Sequence, residues 1–98
     1  MFTIKQTPEF AAWLSGIKDS LTRRRLARRL EKASLGNLGD VQPVGGDVFE
    51  MREFFGPGWR LYYVQRGATL ILMLGGGDKS TQQTDIAKAI ALASILED

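Results

Sequence analysis

Hydrophobic and polar positions alternate with period two along residues 48–80, VFEMREFFGPGWRLYYVQRGATLILMLGGGDKS, and the alternation is broken by two glycine-bearing turns. Period-two alternation marks strands, so this stretch predicts three consecutive antiparallel strands that run into a glycine-rich corner. Gly67-Ala68 between Arg66 and Thr69 has the composition of a two-residue hairpin turn, which prefers glycine where φ is positive. That turn sets Arg66 against Thr69, Val64 against Ile71, Tyr62 against Met73 and Arg60 against Gly75. Directly opposed residues share a face of the sheet. Leu61, Tyr63, Leu70, Leu72 and Leu74 then form the core side, and Tyr62, Val64, Ile71 and Met73 form the other, which ends at Arg60 with open space in front of it. In the preceding strand Phe49 and Met51 point inward, leaving Glu50 and Arg52 outward. Gly56-Pro57-Gly58 is a strong turn signal that returns Arg52 and Arg60 to one end of the sheet.

The flanking segments switch to helical periodicity. Residues 2–6 read as a short edge or pairing strand, after which Thr7 caps a helix with Pro8 at its first position. Phe10, Trp13, Leu14 and Ile17 make its buried stripe, with Trp13 a core residue. Asp19-Ser20 caps a second helix over about 21–35 that stops near Gly36-Asn37. Leu26, Ala27, Leu30 and Ala33 gather on one side of it, Arg24, Arg25, Arg28, Arg29 and Lys32 on the opposite arc, and Arg23 at the border. Residues 37–47 read as a turn-rich lead-in to the sheet. Ser80-x-x-Gln83 matches a capping box for a last helix with Ile86, Ala89, Ile90, Ala93 and Leu96 on one arc. The sum is an α+β domain over residues 1–98, with two N-terminal helices packed on one face of a small antiparallel sheet and a C-terminal helix.

Composition narrows the chemistry. The 98 residues include no cysteine and no histidine, which removes a disulfide framework, a thiolate zinc site, the imidazole metal ligand and the usual general base near neutral pH. No metal or cofactor is expected. No apolar run reaches the roughly 18 residues of a spanning helix and no signal peptide opens the chain, so a cytoplasmic protein without membrane contact is expected. Net charge is only +2, but six of the 13 lysines and arginines fall between Arg23 and Lys32. That cationic helix back reads either as a solvated face or as a docking surface for nucleic-acid phosphate or an acidic partner peptide.

Gly75-Gly76-Gly77-Asp78-Lys79-Ser80 departs from the phosphate-loop motif because Asp78 stands where glycine must precede lysine. It reads instead as a strand-to-helix corner. The outward set Glu50, Arg52, Arg60 and Lys79 is the one cluster with candidate chemistry. Cations beside a scissile phosphate stabilise charge growing on its oxygens, and a carboxylate or amine can move the proton of an RNA 2′-hydroxyl without a metal. The competing reading is ordinary surface ion pairing. Trp59 and Tyr62 are open to either base stacking or packing, and Tyr63 is assigned to the core.

With these residues in view, the run E-x-R-x-x-x-G-P-G-W-R-x-Y-Y at 50–63 and the run G-G-D-K-S-T-Q at 76–82 resemble the HigB-type addiction-module killer proteins of the RelE/ParE toxin superfamily. The resemblance extends over essentially the whole chain. It implies a bacterial type II toxin that cuts mRNA on the translating ribosome, is neutralised by a cognate HigA-like DNA-binding antitoxin, and meets operator DNA only through that complex. By the same match Arg60, Arg52 and Lys79 contact phosphate, and Glu50 lies where some ribonuclease relatives carry lysine. Arg24, Arg25, Arg28, Arg29, Lys32, Trp59 and Tyr62 are the corresponding candidates for RNA or ribosome contact. Two other functions stay open: gyrase poisoning, as in the ParE branch, and a non-catalytic killer-like domain that only binds an antitoxin.

Overall fold

The structure, a computed structural model, describes residues 1–96, so the last two positions of the domain expected over 1–98 lie outside the described residues. The elements in order are β1 (Thr3–Gln6), α1 (Pro8–Ser15), α2 (Ser20–Ser34), β2 (Val41–Gly45), β3 (Val48–Arg52), β4 (Arg60–Arg66), β5 (Leu70–Gly77), a single 3-10 turn (Lys79–Thr81) and α3 (Gln82–Ile95). The five strands form one sheet in the order β1-β5-β4-β3-β2. β1 pairs parallel to β5 and every other pairing is antiparallel.

The α+β class holds, but the expected arrangement of two N-terminal helices on a small antiparallel sheet is corrected. The strand expected over residues 2–6 is present as β1 ahead of the helices, but it pairs parallel to β5, which makes the sheet mixed. Residues 37–47 also contain more than a lead-in. They supply the edge strand β2, where Pro43 is tolerated because an edge has a side with no ladder to complete.

Helices cover both faces. On one, Phe10 of α1 and Leu26, Leu30 and Ala33 of α2 pack on Met51, Leu61, Tyr63, Ile71 and Met73. On the other, Ala89 and Ala93 of α3 pack on Val48, Tyr62, Val64 and Leu74. A sheet buried on both faces shows continuous apolar runs, and the four residues Leu61–Val64 are all buried. Thr7 ties α1 to the sheet: its hydroxyl accepts the Phe10 N–H at 3.2 Å and donates to the Met73 carbonyl at 2.8 Å.

The β4–β5 register differs from the expected one. Thr69 joins the turn, its carbonyl accepting the Thr3 N–H at 2.8 Å, so Arg66 faces Leu70 and Tyr63 faces Met73. A bulge then leaves Leu74 unpaired, and Tyr62 faces Gly75, Leu61 faces Gly76 and Arg60 faces Gly77. One extra residue inverts the alternation of everything after it. Ile71 and Met73 therefore share a face with Leu61 and Tyr63, whereas Leu74 lies with Tyr62 and Val64. Both sides are core. The division into a core side and an outward side does not hold.

The glycines of β5 allow close approach. A Cβ at Gly76 would overlap the Trp13 indole on one face, a Cβ at Gly77 would overlap the Asp85 carboxylate on the other, and one at Gly75 would meet nothing within 4 Å. The last helix is capped differently from the expected Ser80 box. The Asp78 carboxylate accepts the Ser80 N–H at 2.8 Å, and α3 begins after Thr81 without a side-chain cap. Overpacking costs about 1–3 kcal/mol. Gly76→Ala is expected to lower unfolding free energy by about that amount in urea titrations, and Gly75→Ala to change it by less than about 0.5 kcal/mol.

Candidate functional site

The 53–59 segment between β3 and β4 organises the site. Its ends are closed by the Glu53 N–H donating to the Trp59 carbonyl at 3.0 Å and the Gly58 N–H donating to the Phe55 carbonyl at 3.2 Å. Gly56 and Gly58 adopt φ of 59° and 81°, which makes the reversal accessible at low strain. Beneath it, Trp59 packs edge-to-face against Trp13 with centroids 6.1 Å apart.

Glu50 and Arg60 lie at the root of this segment, and the structure places them inside. They are 4% and 7% exposed, which corrects their expected position on an open outer surface. Arg60 does face a glycine, but the space above Gly77 is filled by Asp85. Glu50 stands 3.9 Å from Arg60 Nε and accepts a hydrogen bond of 2.9 Å from the Gln82 amide. Arg60 Nη1 points at the carbonyls of Glu53, Gly58 and Trp59 at 3.5, 3.2 and 3.1 Å. Among the described residues Nη2 has no hydrogen-bond partner. Nη1 is thus held by a ring of carbonyls, the Glu50 carboxylate lies beside Nε without a hydrogen bond to it, and Nη2 is outside that set.

Arg52 faces Arg60 across the ladder, and Asp40 holds it through paired contacts of 3.1 Å from Nε and Nη2. Lys79 is exposed at the corner after β5, beside Gly58, and forms no ion pair among the described residues. The backbone there forms no phosphate cradle, because the Asp78 side chain already takes the Ser80 N–H. The Ser80 hydroxyl and that N–H hold the Asp78 carboxyl below the usual carboxylate range.

The arginines of α2 divide into two roles. Arg24, Arg28 and Lys32 are exposed, and Arg25 lays its guanidinium 3.7 Å from the Phe55 ring centroid. Arg29 is instead a clamp. It pairs with Glu53 and donates to the carbonyls of Arg52, Leu38 and Asp40 at 2.9, 3.1 and 2.9 Å. Arg29, expected on the cationic back of the helix, has a side chain only 10% exposed, because its partners lie about ten and more than twenty residues away in the chain.

Of the two undecided aromatics, Trp59 is partly buried against the α1/α2 core, and Tyr62 is fully buried under α3, its hydroxyl without a partner among the described residues. Burial first, then the charges of Glu50 and Asp85, push the Tyr62 phenol far above its ordinary range, and burial also raises that of Tyr63. Gln82, Asp85, Glu53 and Asp40 complete the site and were absent from the sequence reading, since only tertiary contact brings them to Glu50, Gly77, Arg29 and Arg52. A cleft of about 850 Å³ between α1, β5 and α3, lined by Trp13, Leu74, Gly75, Asp85, Lys88 and Leu92 among others, shares Asp85 with the site but contains none of the catalytic or RNA-binding residues expected from the sequence.

Removing one partner of a buried ion pair costs about 3–5 kcal/mol. Arg29→Ala is expected to destabilise the fold by about 3 kcal/mol, whereas Arg24→Ala and Arg28→Ala stay within about 0.5 kcal/mol in the same denaturant measurement. A phenol whose folded pKa lies above its unfolded value of about 10 retains its proton in the native state. Stability is therefore unaffected below that pH and falls as pH rises through it. Phenolate absorbance is expected to appear together with loss of far-ultraviolet circular dichroism, not before it.

No protein-family model matches the chain. An uncharacterized protein of Haemophilus influenzae is 39% identical over 93 residues, which span 95% of this chain and 94% of that protein. Among the described residues, no helix is long and apolar enough to cross a membrane. Identity at that level, sustained end to end, means that the chain belongs to the same family as this Haemophilus protein.

Proposed function

We propose that the chain is the toxin of a type II toxin–antitoxin pair, a metal-independent endoribonuclease that cuts mRNA on the ribosome in the cytoplasm. A HigA-like DNA-binding antitoxin holds it in check, and operator DNA is met only through that complex. The observation that carries this reading is the continuity of cationic groups around one loop. Residues 53–59 are bordered by Arg25 of the basic helix, by Arg52 and Arg60 at the strand ends, and by Lys79 at the corner. A polyanion following such a track gains charge-driven affinity from the exposed back of α2 and meets a fixed guanidinium at its end.

Within this reading Lys79 and Arg60 hold the scissile phosphate and stabilise charge on its oxygens. Glu50 is engaged by Arg60 and Gln82, so it aims the guanidinium and is not free to take the 2′-hydroxyl proton. The same engagement favours a second reading, a killer-like protein that binds its antitoxin without cleaving RNA.

Brief induction in bacteria, followed by mapping of new RNA 5′ ends, tests the assignment. The wild type is expected to produce cuts inside translated regions. Lys79→Ala, at an exposed position, should reduce them by about 100-fold, the scale of losing one charge-stabilising donor. Arg60→Lys should do the same while retaining native circular dichroism. Growth arrest without new cuts would redirect the assignment to gyrase, and the absence of both would leave the binding-only protein.

A further inference from the structure

We propose that Phe54 is a base-stacking residue for single-stranded RNA, presented beside the Arg52 guanidinium on the loop that ends at Arg60. The proposal rests on the RNA reading above and adds the residue that grips a base next to the bound phosphate.

Phe54 and Phe55 are adjacent in the loop and differ in exposure and in neighbours. Phe55 is half-buried against the α1/α2 core and lies under the Arg25 guanidinium. Phe54 is 77% exposed, with the Arg52 guanidinium carbon 5.7 Å from its ring centroid. A lone apolar side chain in water needs no explanation. This one sits beside the Arg52 guanidinium, and the loop that carries it is held on several sides. Arg29 grips Glu53 and the Arg52 carbonyl, the Glu53 N–H closes the loop onto Trp59, and Trp59 is anchored on Trp13. The ring is displayed on a braced loop, so little ordering is needed when a partner arrives.

An aromatic ring beside a guanidinium matches an unpaired nucleotide. The base stacks on the ring, every base offers a π-face, and the neighbouring Arg52 guanidinium meets an adjacent phosphate. Duplex nucleic acid keeps its bases stacked on each other and offers no such face. An acidic peptide would satisfy the arginines but leave the ring without a flat partner. Of the aromatic residues singled out from the sequence, Tyr62 is fully buried and Trp59 is partly buried against the α1/α2 core, which leaves Phe54 as the most exposed ring of this loop.

The test uses the whole protein with a single-stranded RNA oligonucleotide, comparing wild type, Phe54→Ala and Phe54→Trp. Position 54 is exposed, so all three are expected to show the same unfolding midpoint. Phe54→Ala is expected to bind about 10-fold or more weakly, the range of one lost base stack. Phe54→Trp should bind like wild type, and its added fluorescence, over the Trp13 and Trp59 background of wild type, should be quenched by RNA. Binding of the wild type with equal affinity for Phe54→Ala would overturn the stacking role and leave the RNA reading intact. No wild-type binding would overturn both. Displacement of the RNA by polyglutamate with no quenching in Phe54→Trp would make the loop an acidic-protein surface and overturn the proposal.

Discussion

Arg29 is the constraint on which the working end of the molecule depends. Its guanidinium leaves α2, pairs with Glu53, and donates to carbonyls of Leu38, Asp40 and Arg52. The approach is possible because Gly39, at φ of 70°, has no side chain to block it. One cation therefore fastens the basic helix, the connection into β2 and the loop after β3. Without it, the Glu53 carboxylate and the Leu38 and Arg52 carbonyls would lose this partner in a part-buried setting, while the Asp40 carbonyl would keep the Arg52 N–H, which is why such a group acts as a structural rivet.

The second constraint is steric and acts through glycines. The bulge at Leu74 inverts the facing of β5, so Gly76 turns toward Trp13 and Gly77 toward Asp85. Each glycine admits a large side chain from a helix on its own face, and the two helices thereby close over the strand from opposite sides. Asp85 also accepts the Thr81 hydroxyl, which anchors the start of α3. With α3 so placed, Gln82 reaches Glu50, and Glu50 stands beside Arg60. Packing in β5 and positioning of the Arg60 guanidinium are two ends of one chain of contacts.

Charge is distributed by the same architecture. The exposed cations on α2, Arg24, Arg28 and Lys32, are spread along the helix and suit diffuse attraction of a polyanion. Those near the loop are held by specific partners: Arg25 on Phe55, Arg52 on Asp40, Arg60 on Glu50 and on carbonyls. Flexible charge recruits and fixed charge orients, and a surface carrying both is suited to capturing an extended anion and then holding one part of it in register.

Local chemistry was legible in the amino-acid order. Thr7-Pro8 starts α1, Leu26, Leu30 and Ala33 of α2 face the core although Ala27, grouped with them, is exposed, three strands follow one another through residues 48–77, and Gly56-Pro57-Gly58 turns the chain, because each depends on neighbours within a few positions. The α+β class and the convergence of Arg52 with Arg60 at one sheet end follow from those local signals. Tertiary structure alone decided the parallel pairing of β1, the strand at Val41–Gly45, the three-residue turn and the bulge, and with them which residues are inside. Period-two alternation assigns faces relative to a strand, not to a molecule. When helices cover both sides, the polar member of an alternating pair can be buried as well as the apolar one, and Glu50 and Arg60 were read as outward for that reason. Their partners come from β5, α3 and the loop carbonyls, whose distance along the chain leaves no local mark.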